Sequence, residues 1–395
     1  MPSILSKNEI RRILVSLVAA QQRLRIRHGT MPKECAVDLH IAARSSDEID
    51  ALRVDEEVLG FDSLSRIDLA MRVTQFFNLS KSGVDDYLLV RRRIGDWIDL
   101  INHHLAMLHD EACFTFETSG STGKPKRITH SFFDLKEEID ALIACSAIDL
   151  KNESRIISFV PSHHIYGFLF SCLMPSTRNL EVVDLRWTSP TSLSRIAQSN
   201  DLVIATPLTW TQLNGISLDI DPGVRGLTSG APSDQDTWSI VREKGLTSLM
   251  ELYGSTETGG IGYRKSITDD FELMGHLSQK DEKIYKKQSE YNALAVQDRL
   301  EWTEKDRFRV LGRIDDVVQV AGVNVSTTYV SDAVCSIEGV QSAKVTFEQQ
   351  RIIAHVVTST KKSDAQEFKK CLQRDLCRLL EPSAQPSVLT VEYTQ

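Results

Sequence analysis

The sequence predicts a large α/β domain followed by a small α+β C-terminal domain, with a helical segment ahead of both. From about residue 113, the short apolar runs RIISFV, LEVVDL, LVIATP and LTSLMELYG alternate with helix-like segments, which is typical of a layered α/β domain. After residue 313, strand-like runs precede the amphipathic run DAQEFKKCLQRDLCRLL. Before residue 108, apolar residues mostly recur at helical spacing.

These changes of pattern predict three regions. We expect a helical N-terminal region at 1–110, an α/β core at 111–312 and a small C-terminal domain at 313–395. Within the core, FLFSCLMP at 168–175 is expected to be buried, and the lysine-rich stretch 278–292 is expected to be a loop.

Composition excludes several classes of protein. The net charge of −8 and the lack of a dominant basic block argue against a nucleic-acid partner. The seven cysteines are scattered without a CxxC pair, which argues against a zinc site or disulfide framework and suits a cytoplasmic protein. The N-terminus lacks the pattern of a signal peptide, and no run reaches the ~18 apolar residues that span a bilayer.

The stretch TSGSTGKPK has the composition of a phosphate-binding loop. Its glycines permit close backbone approach, its hydroxyls are donors and its lysines supply positive charge. Pro125 stands where a Walker A loop has a magnesium-binding hydroxyl. This difference argues against an ATP-hydrolysing motor protein. A Gly/Ser turn between two strands is the alternative for the loop alone. The candidate phosphate ligands are Thr118, Ser119, Gly120, Ser121, Thr122, Gly123 and Lys124.

The loop resembles the phosphate loop of the adenylate-forming family, which includes acyl-CoA and aryl-CoA synthetases, peptide-synthetase adenylation domains and luciferases. Further segments resemble that family's motifs in the same order: SGAP at 229–232, YGSTE at 253–257 and GRIDD at 312–316. VQD, ending at Asp298, stands at the distance from Arg313 at which the family has its ribose-binding aspartate.

The resemblance implies that 111–312 is an ATP- and carboxylate-binding core and that 313–395 is a small mobile domain. It also implies a role for each motif. Gly230, Ala231 and Pro232 would pack against adenine, on which Tyr253 would stack, with Gly254 and Ser255 beside it. Thr256 would contact the α-phosphate and Glu257 would bind magnesium, while Asp298 and Arg313 would complete the ATP site. Attack of a carboxylate on phosphorus joins two anions, so such donors and Mg²⁺ would have to absorb charge. Taken singly, the aspartate could be a turn former and the tyrosine a core residue.

VPSHHIYGFLF at 160–170 resembles the family's aromatic motif at the acyl pocket. We expect His164, Tyr166 and Gly254 to meet the carboxylate substrate. A polar aromatic wall suits a small aromatic acid better than a long alkyl chain.

LGFDSLSRIDLAMRVTQFF resembles the acyl carrier protein motif whose serine bears phosphopantetheine, which makes Ser63 a candidate modification site. The alternatives are a simple helix cap by Asp62 and Ser63, or a carrier-like fold reused for docking or structure.

The family's catalytic lysine follows a strand that resembles the end of this sequence, PSVLTVEYTQ, and the hinge position that is often lysine is Gln319. The small domain is then either incomplete, with slow or absent adenylation, or another lysine substitutes. Lys280, Lys283, Lys286 and Lys287 are candidates, of which Lys280 is favoured as the catalytic residue; surface solubility is the alternative for each.

Together these patterns predict an ATP- and Mg²⁺-dependent, AMP-forming ligase. It would load an aromatic acid such as 4-hydroxybenzoate onto an acyl carrier protein or coenzyme A, as the resemblance to ligases of aryl-polyene and xanthomonadin pigment clusters implies. Rotation at the hinge residue Asp315 would bring Gly322 to the thiol tunnel. An aliphatic acyl-CoA synthetase and a nucleotide-binding pseudo-ligase are the alternatives.

Overall fold

The computed structural model describes residues 4–27, 29–31, 44–118, 126–145, 148, 150, 154–314, 317–358, 360 and 365–393. The chain divides into two compact units. Unit 1 comprises Met1–Phe116, Ile128–Leu294 and Glu304–Arg307, and unit 2 comprises Glu117–Arg127, Ala295–Thr303 and Phe308–Gln395. In the described ranges, we find no helix that is both long enough and apolar enough to cross a membrane.

Helices make up much of the first part of unit 1. They are α1 (Lys7–Arg27), α2 (Ser46–Asp50), α3 (Ser63–Phe77), α4 (Tyr87–Val90) and α5 (Ile94–Leu108), with 3₁₀ turns at Leu79–Lys81 and His109–Glu111. Helix α3 begins after Asp62, whose carboxylate accepts a hydrogen bond from the Ser65 amide at 2.8 Å. Helix α1 packs against α5. These helices therefore belong to the same compact unit as the sheet described next.

A central sheet forms the core of unit 1. After the hairpin of β1 (Cys113–Thr118) and β2 (Lys126–Ser131), its strands follow in the order β9-β8-β7-β6-β5-β3-β4. Their bounds are β3 (Ile156–Ser158), β4 (Val182–Asp184), β5 (Leu202–Ala205), β6 (Arg225–Thr228), β7 (Ser248–Ser255), β8 (Gly259–Arg264) and β9 (Phe271–Leu273). Strands β3 to β7 pair in parallel, and β8 and β9 are added antiparallel. The predicted α/β class is thereby confirmed.

The helices of this α/β region are mostly short. They are α6 (Phe132–Ala144), α7 (Ile165–Phe168), α8 (Met174–Arg178), α9 (Leu193–Ile196), α10 (Pro207–Thr211) and α11 (Gln235–Glu243), with a π turn at Leu169–Leu173 and a 3₁₀ turn at Pro190–Ser192. The segment 168–175 is buried throughout, as its composition predicts. Phe168 lies 4.6 Å from the Phe114 ring and 5.9 Å from that of Phe76, which joins α7 to β1 and α3.

The expectation of a loop at 278–292 is wrong. This stretch lies in a three-stranded antiparallel sheet of β10 (Leu277–Lys280), β11 (Lys283–Lys286) and β12 (Ser289–Ala293). Asp281 and Glu282 form the first tip with φ of 50° and 61°, the conformation that a two-residue hairpin turn requires. Buried Ile284 anchors the middle strand, so one apolar side chain and the hairpin turn outweigh the polar composition.

Unit 2 contains the small C-terminal domain. Strands β13 (Asp298–Glu304) and β14 (Arg307–Arg313) are neighbours, and β15 (Val317–Val320) pairs with β16 (Val323–Ser326). The sheet β17 (Val340–Glu348), β18 (Arg351–Thr358) and β19 (Val388–Tyr393) is covered by α12 (Thr327–Cys335) and α13 (Ala365–Leu379), with a 3₁₀ turn at Pro382–Ala384. The small α+β domain that the sequence predicts is therefore confirmed.

Candidate active site

The carboxyl edge of the parallel strands brings three of the predicted motifs into one region. The strand order reverses at β3, between β4 and β5, and the segment 160–170 follows β3 directly. SGAP follows β6, and YGSTE ends the adjacent strand β7. The Ser229 hydroxyl donates to the Leu252 carbonyl at 3.0 Å, which joins SGAP to the residue directly before YGSTE. Open α/β sheets bind their ligands at such a reversal of strand order.

The turn between β7 and β8, residues 254–260, carries residues that the sequence predicts to meet the nucleotide, and for that prediction it is named the nucleotide turn. The Ser255 hydroxyl lies 3.0 Å from that of Thr258, and it also accepts a bond from the Thr258 amide at 3.2 Å. A Cβ on Gly254 would lie 2.3 Å from the Gly259 carbonyl oxygen, so only glycine fits between the strands there. Thr256 and Glu257 lie in the middle of the turn and are partly exposed.

The residues predicted to receive adenine flank this turn. Tyr253 is half-buried, and its ring lies 5.6 Å from that of Phe271. Gly230 has a φ of +87°, which a residue with a side chain rarely adopts. Ala231 is half-buried and Pro232 is exposed.

His130 at the end of β2 holds the nucleotide turn from outside the motif. Its Nε2 lies 2.6 Å from the Thr256 carbonyl oxygen. Because a carbonyl can only accept, we assign the proton to Nε2. Burial lowers the pKa of His130, against the opposing effect of the Thr256 bond, so the ring is neutral near pH 7. No sequence pattern predicts a role for His130, because a single histidine does not form a motif.

A second cluster of polar side chains is centred on Asp134 of α6. The Lys286 ammonium is 2.8 Å from Asp134 Oδ1, and the Ser131 hydroxyl donates to the same carboxylate at 2.8 Å. Burial alone would raise the pKa of Asp134, but the bonds from Lys286 and Ser131 lower it below its ordinary value. The charges of Lys286 and Asp134 both act on His130. Lys286 is therefore connected electrostatically with the nucleotide turn.

The favoured lysine lies elsewhere on the same sheet. Lys280 is exposed beside the tip of the β10–β11 hairpin, directly opposite exposed Lys283. Lys287 donates to the Gly275 carbonyl at 2.7 Å. Among the four candidate lysines, the contacts described thus place Lys286 in the polar group around His130.

The aromatic segment after β3 places its two candidate substrate residues differently. His164 is exposed, and its ring lies 4.4 Å from that of His163. The Tyr166 hydroxyl donates toward the carbonyls of Leu227 at 3.0 Å and Ala205 at 3.2 Å. Burial raises the pKa of Tyr166 well above its ordinary value. Because the hydroxyl is engaged by β5 and β6, Tyr166 can offer a ligand its ring face.

Unit 2 brings together Asp298 and Arg313, two further residues predicted to bind ATP. Arg313 Nε lies 3.9 Å from Asp298 Oδ1, and another Arg313 nitrogen donates to the Gln297 side chain at 2.6 Å. Gly322 has a φ of +83° in the tip between β15 and β16, next to Ala321 at +50°. Gln319 lies opposite Asn324 in the same hairpin.

The remaining predicted residues either lie outside the described ranges or are not at the carboxyl edge of the parallel strands. Thr118 ends β1, whereas Ser119, Gly120, Ser121, Thr122, Gly123, Lys124 and the hinge residue Asp315 lie outside the described residues. The hairpin that carries the loop is closed by the Thr115 and Thr129 hydroxyls, 2.8 Å apart. Ser63 is exposed at the first turn of α3, beside the capping carboxylate of Asp62.

Comparison with known proteins now adds a family to this geometry. The family model described as AMP-binding enzyme matches residues 22–282, which include both the nucleotide turn and Ser63. The chain belongs to this family. The resemblance to adenylate-forming enzymes is thus confirmed, and with it the predicted enzyme class, an AMP-forming acid–thiol ligase, which uses ATP.

This AMP-binding enzyme has relatives along most of its length. It is 38% identical to a protein from Cereibacter sphaeroides named 4-coumarate–CoA ligase, over 97% of this chain and 92% of the relative. A protein of the same name from Rhodobacter capsulatus is 39% identical over 88% of this chain and 87% of the relative. A 3,4-dihydroxybenzoate–[aryl-carrier protein] ligase from Bacillus anthracis is 24% identical over 63% and 62%.

A solved structure supports the fold. The o-succinylbenzoate CoA synthetase of Bacillus subtilis superposes with a TM-score of 0.55 at 18% identity, covering 70% of this AMP-binding enzyme. The superposition spans 65% of that synthetase chain. At this identity the likeness concerns the fold alone.

Proposed function

We propose that the protein activates a hydroxylated aromatic acid, of which 4-coumarate is the first candidate, and transfers the acyl group to the thiol of coenzyme A. The carrying observation is the 38% identity over 97% of the chain to a protein named 4-coumarate–CoA ligase. The half-buried Tyr166 ring and the exposed His164, both following β3, support an aromatic substrate.

The proposed reaction has two steps. In the first, a carboxylate oxygen attacks the α-phosphorus of ATP, the bond to the bridging oxygen breaks and pyrophosphate leaves. In the second, the thiol sulfur attacks the acyl carbon, the bond to AMP breaks and the thiol proton is released. Both steps develop negative charge on oxygen atoms that fixed donors must stabilise.

Residues of the nucleotide turn and its neighbours are proposed to bind and orient the reactants. The Thr256 hydroxyl would donate to the α-phosphate, and the Tyr253 ring would stack on adenine. In unit 2, the Asp298 carboxylate would accept from ribose hydroxyls beside Arg313. The phosphate loop from Thr118 to Lys124 would hold the outer phosphates.

Glu257 fits the proposed magnesium ion. Among the described residues, no group of three or more His, Cys, Asp or Glu side chains could form a metal site. Mg²⁺ in nucleotide enzymes needs only one or two carboxylates, with phosphate oxygens and water as its other ligands. A partly exposed carboxylate at the nucleotide turn meets that need, and the ion would neutralise phosphate charge.

Pyrophosphate release tests this function. The screen would offer ATP, Mg²⁺ and 4-coumarate, 4-hydroxybenzoate, medium-chain or short-chain fatty acids, with coenzyme A or a carrier protein as acceptor. Turnover of 4-coumarate with coenzyme A is expected, and Glu257→Gln should reduce it at least tenfold. Turnover confined to fatty acids would overturn the aromatic substrate, and ATP binding without pyrophosphate release would indicate a pseudo-ligase.

A second candidate is the loading of 4-hydroxybenzoate onto an acyl carrier protein. The similarity to the aryl-carrier protein ligase of Bacillus anthracis favours it. In the same screen, this candidate predicts turnover of 4-hydroxybenzoate with carrier protein and little with coenzyme A. Intact-mass measurement would show whether Ser63, exposed at the start of α3, bears the phosphopantetheine group.

A further inference from the structure

A buried carboxyl group lies directly behind the nucleotide turn. Glu138 on α6 is only 6% exposed, and its Oε1 accepts a hydrogen bond from the Gly260 amide at 2.8 Å. A Cβ on Gly259 would lie 2.4 Å from one carboxyl oxygen, and a Cβ on Gly260 would lie 2.7 Å from the other. The carboxyl therefore occupies the space that these two glycines leave.

Glu138 and His130 bind two different points of the turn. His130 binds the Thr256 carbonyl, four residues before Gly260, and both side chains come from the segment 130–138. Thr256, proposed to meet phosphate, is the first attachment point, and Glu257, proposed to meet magnesium, lies between it and Gly260. The backbone that carries them is thus held from outside the motif.

Simple core packing does not account for this glutamate. The buried face of α6 consists of Leu135, Glu138, Ile139 and Leu142, so a fourth apolar residue would continue the pattern. Burying a carboxyl costs free energy, which is why burial raises the pKa of Glu138 to about 7. The hydrogen bond from the Gly260 amide to Glu138 Oε1 offers a reason for a carboxyl group at this position.

We infer that Glu138 is a positioning residue of the nucleotide turn, which fixes the Gly260 end so that Thr256 and Glu257 present their side chains to the phosphates. This inference rests on the proposed function, because it assumes that the turn binds ATP. Its direct effect is on the affinity for ATP. Glutamine keeps an oxygen acceptor and the shape of the side chain, whereas leucine removes the acceptor and aspartate withdraws it from the amide.

Calorimetric ATP titration with Mg²⁺ of the full chain tests the inference. Glu138→Leu should weaken ATP binding about tenfold. The Gly260 amide would lose its acceptor, and the turn would lose the side chain that holds it. Glu138→Gln should remain within about twofold of the wild type. Glu137→Leu, the same change one residue away, is the matched control and should bind ATP like the wild type. Circular dichroism and thermal unfolding of each variant establish that it is folded.

Kinetic measurements with the accepted acid separate positioning from a general loss of structure. Glu138→Leu should raise the KM for ATP and lower kcat, while the KM for the acid stays within about twofold, and glutamine should restore both parameters. If Glu138→Leu does not fold, Glu138→Asp should show the same loss of ATP affinity.

The outcomes distinguish this inference from the proposed function. Wild-type ATP affinity in Glu138→Leu, or in Glu138→Asp where leucine does not fold, would overturn the positioning role. So would equal losses in Glu138→Leu and Glu137→Leu. A wild-type protein that binds ATP but releases no pyrophosphate with any acid would overturn the function alone, because the ATP titrations of the variants still test the turn.

Discussion

Glu138→Gln should remove a pH dependence of folding stability that the buried carboxyl imposes. Burial raises its pKa from an ordinary 4.5 to about 7, against the lowering effects of the Gly260 bond and the Lys286 charge. The folded protein then binds this proton more tightly than the unfolded chain does. The stabilisation is therefore fully present below pH 4.5 and is lost as the pH rises through 7.

The size of this effect follows from the interval between the two pKa values. From 4.5 to about 7, at about 1.4 kcal/mol per pH unit, it amounts to about 3 kcal/mol of unfolding free energy. Other groups near α6 titrate as well: His130, Asp134, Glu137 and His276 all have shifted pKa values. The difference between wild type and Glu138→Gln isolates Glu138, because those groups are present in both proteins.

Urea unfolding between pH 5 and pH 8 measures this difference. The stability of the wild type relative to Glu138→Gln should fall by about 2–3 kcal/mol over that range. Asp140→Asn, which changes an exposed carboxylate on the same helix, is the control and should run parallel to the wild type. Parallel curves for the wild type and Glu138→Gln would refute the reasoning, since the carboxyl would then titrate alike in folded and unfolded chains.

Three further substitutions test separate parts of the site. Gly254→Ala should cost about 1–3 kcal/mol in urea unfolding and abolish ATP binding in calorimetry, because its Cβ would meet the Gly259 carbonyl oxygen at 2.3 Å; wild-type affinity would contradict the close contact. Tyr166→Phe should lose about 1–2 kcal/mol of unfolding free energy and leave the KM for the acid within about twofold, whereas a large rise in KM would show that the hydroxyl meets substrate. If Lys280 takes part in adenylation, Lys280→Ala should slow pyrophosphate release more than Lys283→Ala does, and equal rates would exclude that role.

The parallel strands were readable from the sequence because such strands are covered on both faces. RIISFV and LVIATP contain β3 and β5, and LTSLMELYG covers β7 up to Gly254. Most of their apolar residues are buried, as expected for strands that are covered on both faces. Strand β6 has no such run, since it begins with Arg225. That guanidinium is buried by donating to the carbonyls of Ile148 and Asn200, a compensation that composition does not reveal.

The motif residues of the site were readable, but the residues behind them were not. Tyr253 to Glu257 form a contiguous motif, whereas His130 and Glu138 reach it from more than 100 residues away. A signal for Glu138 was present in the helical pattern. Its spacing from Leu135 and Leu142 places a carboxyl on the apolar face of α6, where a charged residue needs a partner.

Gly260 connects the nucleotide turn with α6, because it lies directly against Glu138. Gly259 has a φ of +71°, which by itself favours glycine, but Gly260 has no such backbone requirement. A Cβ on Gly260 would instead meet Glu138 Oε1 at 2.7 Å and the Met274 sulfur at 2.9 Å. The second glycine is thus required by side chains that lie outside the motif. The motif predicts which residues face the nucleotide, whereas the turn that carries them packs against a carboxyl group that the motif does not contain.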